Sequence, residues 1–430
     1  MNSAGEVLTD EHPSLAEAAR VWWKIGILSF GGPAAQIALM HKEVVEERNW
    51  LSERQFLNAL SFCMLLPGPE AMQLATYAGW RLHGTLGGLI AGSLFVLPGA
   101  AVIMALAAIY GSYGSVPLVE ALFYGIKAAV LVIVVEALLR VARKALSQRA
   151  HWIIAGLSFV GIFFLSIPYP VIVLVAALVG AFMRSAAANE QVVDMAHVSI
   201  GRTCSTITMW LAIWLVPLVA LDVLGAPDLL VEAGRFFSTL AIVTFGGAYA
   251  VLAYMAQDVV VQFGWLTAGE MVDALGLAET TPGPLILVTQ FVGFLAGFRE
   301  GGIPLGLGAA VVVLWVTFAP CFLWIFAGAP YIEWISNQPR LKGALKAITA
   351  AVVGVILNLS IWFALHVLFT DVSREQLGPL TLWRPQLATI EWLASGLFVL
   401  SCVLAFRLHW GIIRILLVAS VLGAALRLLL

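Results

Sequence analysis

Leu66-Pro67-Gly68-Pro69-Glu70 returns 215 residues later as Thr281-Pro282-Gly283-Pro284-Leu285. The same offset joins Ser29-Phe30-Gly31-Gly32 to Thr244-Phe245-Gly246-Gly247, and Met40 to Met255. It also joins Val44-Val45 to Val259-Val260, Trp50-Leu51 to Trp265-Leu266, and Ala59-Leu60 to Ala274-Leu275. One gapless offset carried through this many positions is an internal repeat. Both copies place Gly and Pro inside apolar sequence. Proline removes a backbone donor and glycine loosens a helix, so each motif is expected to break one.

The 430 residues are 61% hydrophobic and 11% charged, with a mean hydropathy of +0.97. A soluble domain carries about 25% charged residues. The expected fold is therefore an all-α polytopic membrane protein, with the bilayer as its surroundings. A net charge of −2 gives no reason to expect nucleic acid. Cys63, Cys204, Cys321 and Cys402 are scattered without a CxxC, so neither a metal, a disulfide nor a cofactor is expected. His12, His41, His83, His151, His197, His366 and His409 form no HxxxH or HExxH, and there is no GxxxxGK[ST]. An enzyme is not expected. The first residues are polar and acidic (Glu6, Asp10, Glu11), which is unlike a cleavable signal peptide.

Apolar runs divide the chain into a polar tail, 1–14, a first repeat, 15–150, linking segments, 151–233, a second repeat, 234–370, and C-terminal segments, 371–430. Basic residues concentrate on the cytoplasmic side of a membrane. Loop His41–Arg54 holds Lys42, Arg48 and Arg54, and Arg140–Arg149 holds four basic residues. Loop Gly111–Leu118 holds none. The second repeat reads the other way: Ala256–Gly269 is free of Lys and Arg, while Gly328–Lys346 carries Arg340, Lys342 and Lys346. Opposite bias in corresponding loops predicts two repeats of inverted topology, with the N-terminus in the cytoplasm. Both basic loops of the first repeat share a side only if 52–82 dips in and returns. Re-entrant hairpins are thus expected at the breaks, with broken crossing helices as the competing arrangement.

A break exposes the first N–H groups of the next half-helix, where the helix dipole adds partial positive charge. Such an end suits an anion. Inverted repeats with paired helix breaks are a transporter architecture that binds substrate between the copies. The candidate pathway residues are Ser29, Phe30, Gly31, Gly32, Pro67, Gly68, Pro69 and Glu70, with Thr244, Phe245, Gly246, Gly247, Thr281, Pro282, Gly283 and Pro284. Ser29, Thr244, Thr280 and Thr281 carry hydroxyls that can donate to an oxyanion, or bond back to the preceding turn. Glu70 is either a proton carrier or a first-turn residue, because its counterpart is Leu285. Lys127 and Lys346 match at an offset of 219 and can attract an anion or snorkel. Lys24, inside an apolar run, needs a partner or water.

Phe30-Gly31-Gly32-Pro33-Ala34-Ala35, Trp50-Leu51-Ser52, Leu66-Pro67-Gly68-Pro69 and Leu97-Pro98-Gly99 together resemble the chromate ion transporter family in its long, two-domain form. Thr244-Phe245-Gly246-Gly247, Gly264-Trp265-Leu266 and Thr281-Pro282-Gly283-Pro284 resemble the second domain. Pro33 departs from exact duplication by aligning with Ala248. The resemblance implies secondary, multi-pass export of chromate across the inner (cytoplasmic) membrane, with chromate resistance as the outcome. It carries the motif roles to the glycines and prolines named above. Sulfate or another oxyanion is the alternative cargo, and a membrane-embedded enzyme or non-transporting subunit the alternative class. A homo-oligomer is compatible with the sequence.

Overall fold

Ser14 opens the folded chain in the computed structural model, which describes residues 13–183, 200–245, 248–332, 335 and 338–429. Most of the polar tail, residues 1–12, lies outside them. The Ser14 hydroxyl accepts the Glu17 amide at 3.2 Å and caps helix α1, Leu15–Leu28. The first half continues through α2, Gly32–His41, α3, Glu53–Cys63, α4, Glu70–Tyr113, α5, Pro117–Ala145, α6, Arg149–Phe163, and α7, Tyr169–Phe182. A single helix, α8, Ile200–Val223, leads to the second half. There follow α9, Asp228–Val243, α10, Ala248–Gln257, α11, Ala268–Thr280, α12, Val288–Gly328, α13, Pro339–Leu368, α14, Trp392–Cys402, and α15, Ile412–Leu429.

The halves share local devices as well as motifs. Ser52 and Gln55 form a capping box at the start of α3, and Thr267 and Glu270 form one at the start of α11. Each box satisfies two amides that the helix start leaves free. A π-helical turn follows α2 at Lys42–Glu46 and α10 at Asp258–Gln262. The two longest helices also bend alike. In α4 the bend is His83 (φ −136°, ψ 29°) and Gly84 (φ 60°, ψ −154°). In α12 it is Gly301 (φ −141°, ψ 22°) and Gly302 (φ 67°, ψ −161°). Both are helical hairpins. A methyl added at Gly79 would lie 2.3 Å from the Gly87 carbonyl oxygen, and one at Gly297 would lie 2.6 Å from that of Leu305. Only small residues let two helix backbones approach so closely.

Six described helices are long and apolar enough to cross a bilayer. The chain is an all-α polytopic membrane protein. Helices α6 and α7, with 15 and 14 residues, are about 22 Å long or less at 1.5 Å per residue, against a hydrocarbon core of about 30 Å. They pack on α13 of the other half, and α14 and α15 pack on α5. The exchange is matched at glycines: a Cβ at Gly343 would meet the Gly180 carbonyl, and one at Gly125 would meet that of Ala419. The one sheet among the described residues is an antiparallel hairpin, Val372–Leu377 with Leu380–Pro385, turning at Gly378 (φ 61°). It lies in the segment expected to hold only C-terminal spans. Arg374, Glu375 and Arg384 make it too polar for a span, and its Thr381 amide bonds the Phe164 carbonyl at 2.7 Å.

Candidate functional site

The two Pro-Gly-Pro breaks meet the opposite half's Phe-Gly-Gly breaks. The Gly68 N–H donates to the Thr244 carbonyl at 2.9 Å, and the Gly283 N–H donates to the Ser29 carbonyl at 2.9 Å. Gly68 and Gly283 are equivalent positions, and so are Ser29 and Thr244. Exchange of partners between equivalent positions is what an approximate two-fold relation between halves produces. Gly68 has φ 113° and Gly283 φ 88°, a region closed to most side chains. Behind each glycine stands a long helix. Gly68 faces Cys321 on α12, and Gly283 faces Gly99 on α4. Each of these neighbours directly follows a proline, Pro98 and Pro320.

Glutamines brace this junction. Gln36 Nε2 donates to the Gly283 carbonyl at 2.7 Å and to the Ser29 carbonyl at 3.2 Å. Gln73 Nε2 donates to the Pro67 carbonyl at 2.7 Å, and Gln290 Nε2 to the Ala100 carbonyl at 3.2 Å. The Oε1 atoms of Gln73 and Gln290 are buried without a partner. The amides of Gly68 and Gly283 are therefore engaged, and they are distinct from the first amides of the following helices, where donors to an anion are expected. Tertiary pairing between halves, which no single motif encodes, engages the two glycine amides. The amides left without an intrahelical partner are those opening the next helix, Glu70 to Met72 in the first half. In the second half, Leu285–Leu287 form a 3₁₀ turn, with the Leu287 amide on the Pro284 carbonyl at 3.0 Å. Thr281 through Gln290 are all buried, so this end is closed, while Glu70 is half-buried.

The four hydroxyls bond back to the preceding turn. Ser29 Oγ donates to Ile25 at 2.6 Å, Thr280 Oγ1 to Leu277 at 2.8 Å, Thr281 Oγ1 to Ala278 at 3.0 Å, and Thr244 Oγ1 to the Leu240 carbonyl. Their protons are already engaged, and none is aimed at a ligand in this state. The first Phe-Gly-Gly break is open. Phe30, Gly31, Ala34 and Ala35 are exposed, and Gly31 and Gly32 have φ of 83° and 77° at the start of α2. Pro33 stands in its first turn, where no amide donor is needed. Phe245 is half-buried, with its amide on the Val243 carbonyl at 3.0 Å. Gly246 and Gly247 lie outside the described residues.

The two matched lysines differ. Lys127 Nζ stands 3.4 Å from Oδ2 of Asp273, which also accepts the Tyr110 hydroxyl at 2.7 Å. Lys346 is exposed and makes no ion pair among the described residues. Position 58, equivalent to Asp273, is Asn58. Lys24 finds the partner its apolar setting required: Glu43, buried and 2.6 Å away, which also binds Arg48 at 2.6 Å. A second buried acid, Glu279, accepts the Tyr249 hydroxyl just before the second break. Asp273 and Glu279 escaped the sequence reading because it weighed duplicated residues, and both acids occur in one half only. The signal was there: 267–280 is an apolar run with three acids. His41 lies outside the spans, bound to Glu53 at 2.6 Å and Glu46 at 3.1 Å. The Glu53 hydrogen bond above all holds its pKa above the usual value. Among the described residues no group of three or more His, Cys, Asp or Glu could hold a metal.

A family model described as "Chromate transporter" matches residues 16–181 and 231–424, one stretch in each half. The "Chromate transport protein" of Pseudomonas aeruginosa is 31% identical over 412 residues, which covers 93% of this chain and 89% of that protein. The "Probable chromate transport protein" of Synechococcus elongatus is 31% identical over 348 residues, 80% of this chain and 84% of the relative. The "Chromate transport protein" of Cupriavidus metallidurans is 28% identical over 371 residues, 82% and 84%. No solved structure gives a significant match.

Proposed function

The chain belongs to the chromate transporter family, and on that premise we propose that it is a secondary carrier that exports chromate across the cytoplasmic membrane. The observation that carries this reading is the reciprocal junction of Gly68 with Thr244 and Gly283 with Ser29. Gly99 lies near the midpoint of the second limb of α4, 85–113, so the junction is level with the centre of a span. Non-helical backbone at that depth persists only where protein encloses it or water reaches it. Here protein encloses the Pro-Gly-Pro side, and the first Phe-Gly-Gly side is open.

Chromate is a tetrahedral dianion. The open start of α2 and the half-buried Glu70 end of α4 offer donors and partial positive charge. Lys127 and Lys346 draw the anion toward them. Opposite charge bias in matched loops supports inverted repeats, and an axis in the membrane plane then exchanges inside-facing and outside-facing states. In that cycle the halves move against each other at the junction, whose four backbone partners re-form in the opposite sense. The matched packing of α7 on α13 and α15 on α5 supports a repeat unit longer than 15–150 and 234–370, one that includes the peripheral helices.

Export needs no further energy source. Two charges moving through 100 mV release about 4.6 kcal/mol, enough for a concentration ratio on the order of 10³. Chromate resistance follows from such efflux. The test is electrogenic chromate flux in proteoliposomes, comparing wild type with Gly68→Ala and Gly283→Ala. Each methyl would stand 3.0 Å from a neighbour at a positive φ, a strain of about 1–2 kcal/mol. Flux is expected to fall about tenfold or more in each variant. Undiminished flux in both would remove the junction from the mechanism.

A further inference from the structure

Asp273 is a buried carboxylate that the transport reading leaves without a task. It stands on α11 and is 2% exposed. Its Oδ2 accepts the Tyr110 hydroxyl from α4 and faces Lys127 Nζ from α5. Its Oδ1 is buried with no hydrogen-bond partner. The other charged groups around it are Glu270, one turn earlier on α11, and Arg299 on α12. These two bind each other, and Arg299 also donates to the Trp265 carbonyl at 2.5 Å. Asp273 is therefore held by Lys127 and Tyr110, both from the first half.

We propose that Asp273 is a proton-binding site coupled to the substrate through Lys127. Ionised Asp273 neutralises the lysine and ties the two halves together. When a proton from water adds to the free Oδ1, the carboxyl becomes neutral. Lys127 keeps its own proton and loses its counter-charge. Its side chain is 27% exposed, so an oxyanion can reach it. Asp273 and the substrate thus compete for one ammonium group. Linkage makes the effect mutual: protonation tightens oxyanion binding, and bound oxyanion favours protonation. The unpartnered Oδ1 is the second observation behind the ion pair. A carboxylate held only for structure has every reason to have both oxygens satisfied.

This rests on the reading that the chain carries an oxyanion, and the experiment separates the two. Purified full-length protein is placed in proteoliposomes, and the KM for chromate is measured at fixed membrane potential from about pH 6 to pH 8.5. The wild-type KM is expected to rise by up to about tenfold per pH unit above the midpoint of Asp273. In Asp273→Asn that rise disappears, while Asp273→Glu keeps it. The ratio of wild type to variant cancels any protonation of the substrate itself. Tyr110→Phe removes a donor that favours the ionised form, so it moves the rise to higher pH. It carries the test if the Asn variant does not fold. A ratio constant across pH, or a Tyr110→Phe profile that stays in place, overturns the proposal. Absence of wild-type chromate flux at every pH would instead sink the transport reading and the proposal with it.

Discussion

Gly99→Ala tests the junction from the side that touches no ligand. A methyl at this position would lie 2.2 Å from the Pro282 carbonyl oxygen and 2.8 Å from Leu287 Cδ1. Ordinary contact begins at 3.4 Å, so α4 and the Pro282-Gly283 segment must part by about 1 Å. The nearest obstacle is backbone, which cannot rotate out of the way. Two hydrogen bonds stretch as a result: Gly283 N–H to the Ser29 carbonyl at 2.9 Å, and Gln36 Nε2 to the Gly283 carbonyl at 2.7 Å. A buried polar group left unpaired costs about 1–3 kcal/mol. Two such losses total at least about 2 kcal/mol, a factor of about 30 in any equilibrium that requires the closed junction. Detergent-solubilised Gly99→Ala should melt several degrees below wild type and lose at least about nine-tenths of its chromate flux. Gly156→Ala on α6 is the control, since a methyl there meets nothing within 4 Å. It should match wild type in both assays. Gly99→Ala protein with wild-type melting and flux would refute the reasoning, because it would mean that the junction yields by 1 Å without consequence.

Three further outcomes are expected. Glu43→Gln leaves Lys24 and Arg48 facing each other across a buried site, so it should lower the melting temperature by more than the 0–1 kcal/mol typical of an exposed pair; equal melting of variant and wild type would contradict this. His41 has a raised pKa in the folded chain, so its stabilising effect is fully present below the unfolded value of about 6.5 and is lost as pH rises through the higher folded value. The melting difference between wild type and His41→Gln should therefore be largest near pH 5.5 and shrink as pH rises above 6.5, and a difference independent of pH would refute it. Backbone amides and ammonium groups discriminate poorly between tetrahedral dianions, so excess sulfate should inhibit chromate flux in proteoliposomes; flux indifferent to sulfate would require a selective contact beyond those described.

The repeated motifs made the breaks readable, because Gly and Pro act on the backbone wherever they fall. The repeated Trp-Leu pair marked equivalent positions without marking a helix start, and the capping boxes at Ser52 and Thr267 follow it in both halves. The segment 52–82, expected to dip in and return, ends where α4 bends at His83-Gly84. What could not be read was who receives the glycine amides. The Gly68–Thr244 bond joins residues far apart in sequence, and its geometry is set by the packing of whole halves. The hydroxyls of Ser29 and Thr244 were open to two readings, and the turn carbonyls hold them in this state. The hairpin at 372–385 was hidden for another reason. Its strands are short, and it docks both on the turn after α6 through Thr381 and on α13 through Trp383, whose ring faces those of Trp362 and His366.

The two backbone bonds of the junction repeat across the halves, while the charges around it do not. Glu70 corresponds to Leu285, Asp273 to Asn58, Glu279 to Met64 and Lys24 to Thr239. If a two-fold relation exchanges the two faces of a carrier, strictly equal halves would make both facing states equal in energy. Unequal charges remove that equality. Closure between α5 and α11 brings Lys127 to a carboxylate, whereas the position equivalent to Asp273 carries an amide side chain, Asn58. An ion pair in a partly buried site is worth more than a neutral contact only while both charges persist. If the halves alternate in this way, Asp273 biases the resting state, and Asn58→Asp should move the balance toward equality. Trapping each facing state by cysteine cross-linking, with the wild-type population compared against that of Asn58→Asp, measures this; populations that do not respond to the added carboxylate would show that the asymmetry of charge does not set the resting state.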